Sequence, residues 1–259
     1  MKKVWVKRLA RLGTAGLALW AASHALYRWT RPAVPQRPLV IAHRGGAALA
    51  PENTLGAFES VPDADMWETD VRPCSDGTLV LLHDSTVDRT TSGHGRLESL
   101  SSAQATQLGL PTFRQFLELA RRRQARILPE IKSRRPGIEK AVVESLQAAG
   151  VVEQTCVQCF APQSLERVHA LAPELKLGRL YYPWQFWVGA NPEGVVVVAP
   201  CAETLLLNPW MVRQAHARGW QVWPWFLALE SRFTVPWVLS LGVDGLIVDN
   251  PPAVHELSQ

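Results

Sequence analysis

Acidic, basic and imidazole side chains gather where short apolar segments of this 259-residue chain end. The run "LVIA" ends in a His-Arg-Gly-Gly turn, and later runs end in Glu-x-Asp, His-Asp and Glu-x-Lys patterns. Such side chains suit a hydrophobic core poorly, but they suit a site that handles protons and negative charge. The residues concerned are His43, Arg44, Glu68, Asp70, His83, Glu130 and Lys132.

Three of these side chains are carboxylates that a common site would bring together. Glu68 and Asp70 are two residues apart in a strand-like segment, so they lie on the same face of it. With Glu130 beside them, the three charges would repel one another unless they were protonated or neutralised. Ligand sets made only of oxygen favour hard cations over zinc. The sequence therefore predicts one bound divalent cation, Mg²⁺ or Ca²⁺.

The basic and imidazole groups indicate what the cation would act on. An arginine fork, a lysine charge and a metal ion together form the usual clamp on a phosphoryl group. Arg44 and Lys132 supply the first two and are the predicted phosphate contacts. His43 and His83, with an ordinary pKa of about 6.5, suit proton transfer at neutral pH. The predicted chemistry is reaction at a phosphate.

Alternating strand and helix patterns must position these residues. This alternation predicts a parallel sheet of the α/β class, and the chain length favours a closed (β/α)8 TIM barrel. Because the C-terminal ends of barrel strands surround one mouth, the candidate site residues are expected to meet there. The predicted strands span 39–43, 66–71, 78–84, 126–132, 155–160, 175–181, 195–200, 221–226 and 245–249, and the clearest helices span 112–123, 137–150 and 208–219.

Nine strands are one too many for an eight-stranded barrel, and a predicted hairpin accounts for the extra one. The linker "RPCSDG" between the second and third strands is too short for a parallel crossover. Asp76-Gly77 is a signal for a two-residue hairpin turn. If that turn is central, Asp70 lies opposite His83.

The motifs that carry these residues resemble those of the glycerophosphodiester phosphodiesterase family. The resemblance covers residues 39–254 and implies a metal-dependent phosphodiesterase on a β/α barrel. The implied reaction is hydrolysis of glycerophosphodiesters to sn-glycerol 3-phosphate and an alcohol. The matching stretches, in the family's order, are "AHRGGAALAPENTLGAF", "WETDVRPCSDGTLVLLHDSTVDRTTSGHGRL", "LPEIK", "AHARGWQVWPW" and "GVDGLIVDNP".

The resemblance also implies a role for each candidate residue, without indicating which histidine is the acid and which the base. Glu52 matches the family's "PENT" glutamate and is expected to support the site, or to be a loop residue near a helix cap at Asn53 and Thr54. The family's metal ligands match Glu68, Asp70 and Glu130, its phosphate contacts match Arg44 and Lys132, and its acid–base pair matches His43 and His83.

One wall of the predicted mouth departs from the family. Its penultimate strand commonly carries an asparagine where this chain has Phe226. A more apolar wall favours an alternative activity, lysophospholipase D action on lysophospholipids. A second alternative is a catalytically silent barrel that binds phospholipid head groups, although both histidines and all three carboxylates are present. Four tryptophans lie near this wall in the chain and either line it or pack elsewhere: Trp184, Trp187, Trp210 and Trp220.

A basic and partly apolar tail precedes the barrel. Residues 1–37 hold eight Lys or Arg and no acidic residue, so the rest of the chain has 19 basic against 23 acidic side chains. The net charge of +4 therefore does not indicate nucleic-acid binding. Residues 12–27 carry no formal charge, which is short of the ~20 residues of a membrane span but typical of an anchor or a signal peptide.

We expect three parts: an anchor or signal at 1–31, a Pro-rich linker at 32–38 and the catalytic barrel at 39–259. Positive residues are more numerous before the apolar stretch than after it, which favours a barrel outside the cytoplasm, membrane-anchored or exported. The alternative is an amphipathic helix lying on the barrel or on a membrane surface. The residues expected at the membrane interface are Tyr27, Arg28, Trp29 and Arg31.

Cys156 and Cys159 form a CxxC pattern within a strand-like segment. Positions three apart on a strand point to opposite faces, so these thiols are not expected to share a metal ion or form a redox pair. The prediction is that they are buried structural residues.

Overall fold

The computed structural model describes residues 2–31 and 37–257, with side chains from residue 14 onward. Within the predicted linker, positions 32–36 lie outside the described residues. The strands are β1 Leu39–Ala42, β2 Met66–Pro73, β3 Leu79–Leu81, β4 Ile127–Ile131, β5 Cys156–Cys159, β6 Lys176–Leu180, β7 Val195–Ala199, β8 Gln221–Val222 and β9 Gly245–Val248. The helices are α1 Lys2–Thr30, α2 Leu55–Glu59, α3 Ser102–Gln107, α4 Phe113–Arg123, α5 Ile138–Ala149, α6 Pro162–Leu171, α7 Ala202–Leu207, α8 Trp210–His216, α9 Thr234–Leu239 and α10 Pro251–Leu257.

Eight of the strands form the predicted parallel barrel. Their order is β8-β7-β6-β5-β4-β2-β1-β9, and β3 pairs only with β2. Beyond the end of β8, Trp225 forms a parallel bridge to Ile247 in β9, which nearly closes the ring. The extra ninth strand is thus the antiparallel arm of a hairpin, as its short linker predicts.

The register of this hairpin is shifted by one residue, and the predicted pairing of Asp70 with His83 is wrong. The amide of Leu82 donates to the carbonyl of Asp70 at 3.1 Å, so Leu82 lies opposite Asp70. The reason is the turn, which holds the three residues 75–77 instead of two. Gly77, at φ 85°, takes the left-handed position that closes a three-residue hairpin loop.

Two apolar layers hold the barrel together. One fills its interior with side chains from alternate strand positions, including Ile41, Leu128 and Ile247. The other lies between the strands and the surrounding helices. Cys156 belongs to the interior layer and Cys159 to the outer one, and both thiols are buried and unpaired. The predicted opposite orientation of the two cysteines is therefore confirmed.

The C-terminal half of α1 packs along the outside of the barrel. The Trp20 indole donates to the Leu206 carbonyl at 2.9 Å, and the fully buried Tyr27 hydroxyl donates to the Leu241 carbonyl at 2.7 Å. Arg28, expected at a membrane interface together with Tyr27, lies over the indole ring of Trp237 in α9. In the ranges 2–31 and 37–257, no helix combines the length and the apolar character needed to cross a bilayer.

Candidate active site

The turn after β1 has a left-handed backbone that brings a helix close to the barrel mouth. Arg44 has a φ of 52°, and Gly45 and Gly46 have φ values of 83° and 88°. A Cβ on Gly45 would lie 3.0 Å from the Cβ of Ala57 in α2, so this position has no room for a side chain. The turn aims the Arg44 amide at Glu68 Oε2, to which it donates at 2.8 Å.

The three predicted metal ligands meet at the mouth. Oxygen atoms of Glu68, Asp70 and Glu130 all lie within 4.8 Å of one another, and all three residues are buried. Glu68 and Asp70 share one face of β2, and Glu130 lies beside Asp70 because β4 pairs with β2 in parallel register. The sequence-based expectation that the three carboxylates converge is met by this geometry.

These carboxylates fit a hard divalent cation. Burial, together with the charge of Asp70, raises the pKa of Glu68 to about 8, so the crowded site disfavours three negative charges. Burial likewise raises the pKa of Glu130. Asp70 Oδ1 is fully buried and has no hydrogen bond, although Lys132 Nζ lies 3.3 Å from it, so a metal ion at this oxygen would lie beside the lysine.

Arg44 and Lys132 lie against this cluster. Lys132 Nζ is 2.9 Å from Glu130 Oε1 and 3.3 Å from Asp70 Oδ1. Arg44 Nε is 3.4 Å from Asp70 Oδ2. Burial opposes ionisation of Asp70, but the charges of Lys132 and Arg44 outweigh it and hold the pKa of Asp70 below its ordinary value. The two cations therefore border both the carboxylates and the open cavity.

Each candidate histidine has a carboxylate behind it. His43 Nδ1 lies 2.6 Å from Asp249 Oδ1, and His83 Nδ1 lies 2.7 Å from Asp84 Oδ1. The carboxylate fixes the ring orientation and leaves the Nε2 atom of His83 for proton transfer. His43 Nε2 accepts a hydrogen bond from Arg44 Nε at 3.2 Å, so a proton on this atom requires that contact to be broken.

The two histidines differ in their surroundings. Burial lowers the pKa of His43, but the Asp249 hydrogen bond and the charge of Glu68 outweigh it, so the pKa is raised. Burial lowers the pKa of His83 below its ordinary value. Asp84 is shared between His83 and Arg89. Arg89 Nε donates to Asp84 at 2.6 Å and helps to lower the pKa of Asp84 to about 2.

Glu52 connects the two sides of this network. Its carboxylate lies 3.1 Å from Arg44 Nη1 and accepts two hydrogen bonds of 2.7 Å from Arg89. Glu52 thereby links the Arg44 turn to the loop that carries Asp84. The position fits the expected supporting role, while Asn53 and Thr54 beside it include the N-cap of α2.

A cavity of about 650 Å³ opens above these residues and has two unlike halves. We name the charged half by its lining residues His43, Arg44, Glu52, Glu68, His83, Glu130, Lys132 and Asp249. We name the aromatic half by its lining residues Phe160, Leu180, Tyr182, Pro183, Trp184, Trp225, Phe226 and Leu227.

The aromatic half contains part of the wall that the sequence indicates. Phe226 and Trp184 line the cavity. Trp210 instead donates from its indole to Ser23 of α1, and Trp220 packs against the core around α8. Trp187 is 68% exposed. Among the described residues, Trp184 is therefore the one of these four tryptophans that lines the cavity.

Comparisons with known proteins identify the family of this chain. A profile of the glycerophosphoryl diester phosphodiesterase family matches residues 43–253. The chain belongs to this family. A glycerophosphodiester phosphodiesterase of Caldanaerobacter subterraneus subsp. tengcongensis is 30% identical over 244 residues, which cover 85% of this chain and 98% of the relative.

Two solved structures share the fold. A glycerophosphodiester phosphodiesterase from Agrobacterium tumefaciens has a TM-score of 0.71 at 23% identity, covering 85% of this chain and 100% of that one. A phosphodiesterase from Oleispira antarctica, solved with the product sn-glycerol-3-phosphate, has a TM-score of 0.70 at 22% identity, covering 85% and 96%. At these identities the likeness supports the barrel fold alone.

Sequence reasoning missed several residues that position this phosphodiesterase-family site. Asn53 Oδ1 accepts from the Thr69 hydroxyl at 2.8 Å, and Asn53 Nδ2 donates to Asp70 Oδ2 at 2.8 Å. Gln158 Nε2 donates to Glu68 Oε1 at 3.2 Å. Asn53 and Asp249 stand inside the quoted family motifs, which was the available signal, whereas nothing in the sequence of β5 marks Gln158.

Proposed function

We propose that this chain hydrolyses glycerophosphodiesters to sn-glycerol 3-phosphate and an alcohol, with a divalent cation held by Glu68, Asp70 and Glu130. The observation that carries the proposal is the meeting of three carboxylates and two carboxylate-backed histidines in one cavity. Family membership supports it, as does the product found with the Oleispira antarctica relative.

The basic side chains bind and orient the phosphodiester. Lys132 offers a point charge and Arg44 a guanidinium fork to the phosphate oxygens. A hard cation bound at the three carboxylates would withdraw negative charge from the same phosphoryl group. Glu52 holds Arg44 and so fixes the direction of the fork.

The two histidines move the protons. We assign the acid to His43, because its partner Asp249 stabilises the protonated ring and is paired with no arginine among the described residues. We assign the base to His83, because Arg89 competes for its partner Asp84 and leaves the ring neutral more readily. His83 accepts the proton of the attacking water, or of an attacking glycerol hydroxyl, and His43 protonates the departing alcohol oxygen as its bond to phosphorus breaks. Attack by the glycerol hydroxyl forms a cyclic phosphodiester, which a water molecule then opens to glycerol 3-phosphate.

Chelation tests the cation. The purified full chain is assayed with glycerophosphocholine after exhaustive chelation, and again after Mg²⁺ or Ca²⁺ is restored. Release of choline and glycerol 3-phosphate should stop on chelation and return with one or both ions. Undiminished turnover in the chelated enzyme would remove the proposed metal site.

Lysophospholipase D action is the second candidate, and the aromatic half of the cavity favours it. The silent-barrel alternative requires the loss of a chemical group, yet all seven predicted groups are present and adjoin the charged half of the cavity. We therefore keep lysophospholipase D action as the second candidate and rank the silent barrel below it.

Location is a separate proposal: the basic tail attaches the barrel to a membrane or directs its export, with the barrel outside the cytoplasm. Ser23-His24-Ala25 has the small residues of a signal-peptide cleavage site. We further propose that α1 is retained, because a cut after Ala25 would remove the contacts of Trp20 and the buried His24 with Leu206. Fractionation of cells with an antibody to the chain tests the first point, and sequencing of the mature N-terminus tests the second. A soluble cytoplasmic protein would contradict the first, and a mature N-terminus near residue 26 the second.

A further inference from the structure

A second cavity, of about 730 Å³, adjoins the active-site cavity at the C-terminal ends of β4 and β5. The residues that line both cavities are Glu130, Lys132, Phe160 and Tyr182. Because Lys132 is also a predicted phosphate contact, the second cavity begins beside the proposed phosphate site. A ligand whose phosphate contacts Lys132 can therefore extend into it.

This second cavity is lined by four cationic side chains and, among the described residues, by one carboxylate. We name it the arginine crevice after three of the cations, Arg134, Arg167 and Arg179. The carboxylate is Glu130, which lies 2.9 Å from the fourth cation, Lys132. Arg167 is neutralised by Glu139, whose Oε1 lies 2.6 Å from its Nη2. The other two arginines have no acidic partner in the described part of the chain.

Arg179 carries a buried donor atom that has no acceptor. Its Nη1 is fully buried and forms no hydrogen bond with the described residues. The guanidinium lies 5.5 Å from the centroid of the Tyr181 ring, a cation–π contact that offsets part of the cost of burial. Burial lowers the pKa of Arg179, and no described carboxylate counteracts it. Because an unpaired buried charge is costly, an anion bound beside Arg179 would stabilise this side chain.

The fold directs several positive groups into the arginine crevice. Leu180, the next residue of β6, faces the barrel interior, so Arg179 faces outward, where it pairs in register with Cys159 of β5. The ten-residue α6 begins in the crevice at Pro162 and has no side-chain cap there. The free amides and positive dipole end of this helix add to the attraction for an anion.

We propose that the arginine crevice binds a second anionic group, carried by the alcohol part of the diester, while the diester phosphate occupies the charged half of the active-site cavity. This inference rests on the proposed function and names its substrate class, glycerophosphodiesters whose head group bears a carboxylate or a phosphate monoester. Both groups accept the paired hydrogen bonds that a guanidinium offers. Arg179 and Arg134 determine specificity without touching the reacting atoms, so diesters that lack the second anion are still hydrolysed.

Two substrates that differ by one carboxylate test the proposal. Glycerophosphoserine and glycerophosphoethanolamine share the glycerol, the phosphodiester and the ammonium group, and the serine compound alone has the carboxylate. Both are assayed with the full chain, loaded with Mg²⁺ or Ca²⁺, by release of glycerol 3-phosphate. The readout is the serine-to-ethanolamine ratio of the two kcat/KM values.

The variants are Arg179→Met, Arg179→Lys and Arg134→Ala, with Arg135→Met as the matched control. Arg135 follows Arg134 in the chain, so its loss changes the net charge of the same region. However, its guanidinium donates to the carbonyls of Cys74 and Ser75, and it lies outside the crevice lining.

The wild type should favour glycerophosphoserine about 10- to 100-fold, the gain expected from hydrogen bonds between charged groups. Arg179→Met should bring the ratio close to one and leave the turnover of glycerophosphoethanolamine unchanged. Arg179→Lys keeps the charge and should retain part of the ratio. Arg134→Ala should lower the ratio a few-fold, because Arg134 is exposed, and Arg135→Met should keep it. The Tm of Arg179→Met should not fall, because this variant removes an unpaired buried charge.

A wild-type ratio near one, with both diesters hydrolysed, would overturn the crevice proposal while the proposed function stands. Equal losses for both diesters in Arg179→Met, or an equal loss of the ratio in Arg135→Met, would also overturn it. A free anion has the same chemistry as the proposed group, so Tm is also measured with sulfate in the metal-free protein. A sulfate-dependent rise that Arg179→Met abolishes, with a wild-type ratio near one, would assign the crevice to a free ion instead. If neither diester turns over with Mg²⁺ or Ca²⁺, the proposed function fails and the head-group site fails with it.

Discussion

The two halves of the cavity are built by opposite means. In the charged half, side chains are held by partners from distant parts of the chain: Asp249 fixes His43, and Asn53 fixes Asp70. In the aromatic half, rings stack on one another and the outermost, Trp184, is largely exposed. If the proposed function is right, changes in the charged half should affect the turnover of every diester, whereas changes in the aromatic half should alter which diester is preferred.

Replacing a histidine should have the largest effect, because it removes a proton-transfer group from the charged half. His43→Ala and His83→Ala should each lower kcat for glycerophosphocholine by about 10²- to 10⁴-fold. The matched control is His94→Ala, since His94 is exposed and contacts only the nearby Asp88 among the described residues. Rates near wild type in both active-site variants would end the acid–base assignment.

Cation binding should be visible in stability as well as in rate. At a concentration about 100 times its Kd, a cation that binds only the folded chain adds about 2.7 kcal/mol to the free energy of unfolding. For a chain of this size that corresponds to a rise in Tm of about 5–10 °C. Glu130→Gln should abolish most of the rise, because it removes one of three converging carboxylates.

Glu139→Gln is the control for that measurement. Glu139 is also buried, but it binds Arg167 and Ser164 on the outer side of the barrel. This variant should keep the Tm rise whatever its own stability. An equal rise in Glu130→Gln and the wild type would place the cation elsewhere.

Removing the Asn53 amide should lower activity less than removing a metal ligand does, but more than changing a residue of the aromatic half does. Asn53→Ala should weaken cation affinity or activity about 10- to 100-fold, as is typical when a partner that orients a metal ligand is removed. Because Asn53 has a φ of 56°, Asn53→Gly separates the amide from the backbone conformation. If the glycine variant behaves as wild type, the amide has no role.

The smallest effect is expected in the aromatic half. Phe226→Asn makes the cavity wall polar at one position. It should lower the preference for a short-chain lysolipid over glycerophosphocholine by a few-fold, about the effect of losing one or two methylene contacts. Phe226→Leu, which keeps the wall apolar, is the control. Equal preferences in the two variants would contradict the claim that the aromatic half sets substrate preference.

Local sequence patterns predicted the barrel and the charged half because strand ends and carboxylate spacing are local features. Glu68 and Asp70 share a face through the period of a strand, and the parallel register of β2 and β4 places Glu130 beside Asp70, whereas a slip of one residue would turn Glu130 to the other face. The hairpin register was missed by one residue, since Asp76-Gly77 closes a three-residue loop as readily as a two-residue one.

Local patterns do not predict pairs of residues that are distant in the chain. The pairing of His43 with Asp249 joins the first barrel strand to the last, and it arises from ring closure rather than from spacing. The stacking of Phe160 on Tyr182 likewise joins residues that follow β5 and β6. The docking of α1 had a signal, because Trp20, Ser23, His24 and Tyr27 follow the i, i+3, i+4, i+7 spacing of a buried helix face.

Phosphorus NMR of the products tests the central claim most directly. The full chain, loaded with Mg²⁺ or Ca²⁺, is incubated with glycerophosphocholine, and a His43→Ala/His83→Ala double variant is run beside it. The charged half predicts glycerol 3-phosphate as the phosphorus-containing product of the wild type and no detectable product in the double variant. Phosphocholine in place of glycerol 3-phosphate, or equal turnover in the two proteins, would contradict it.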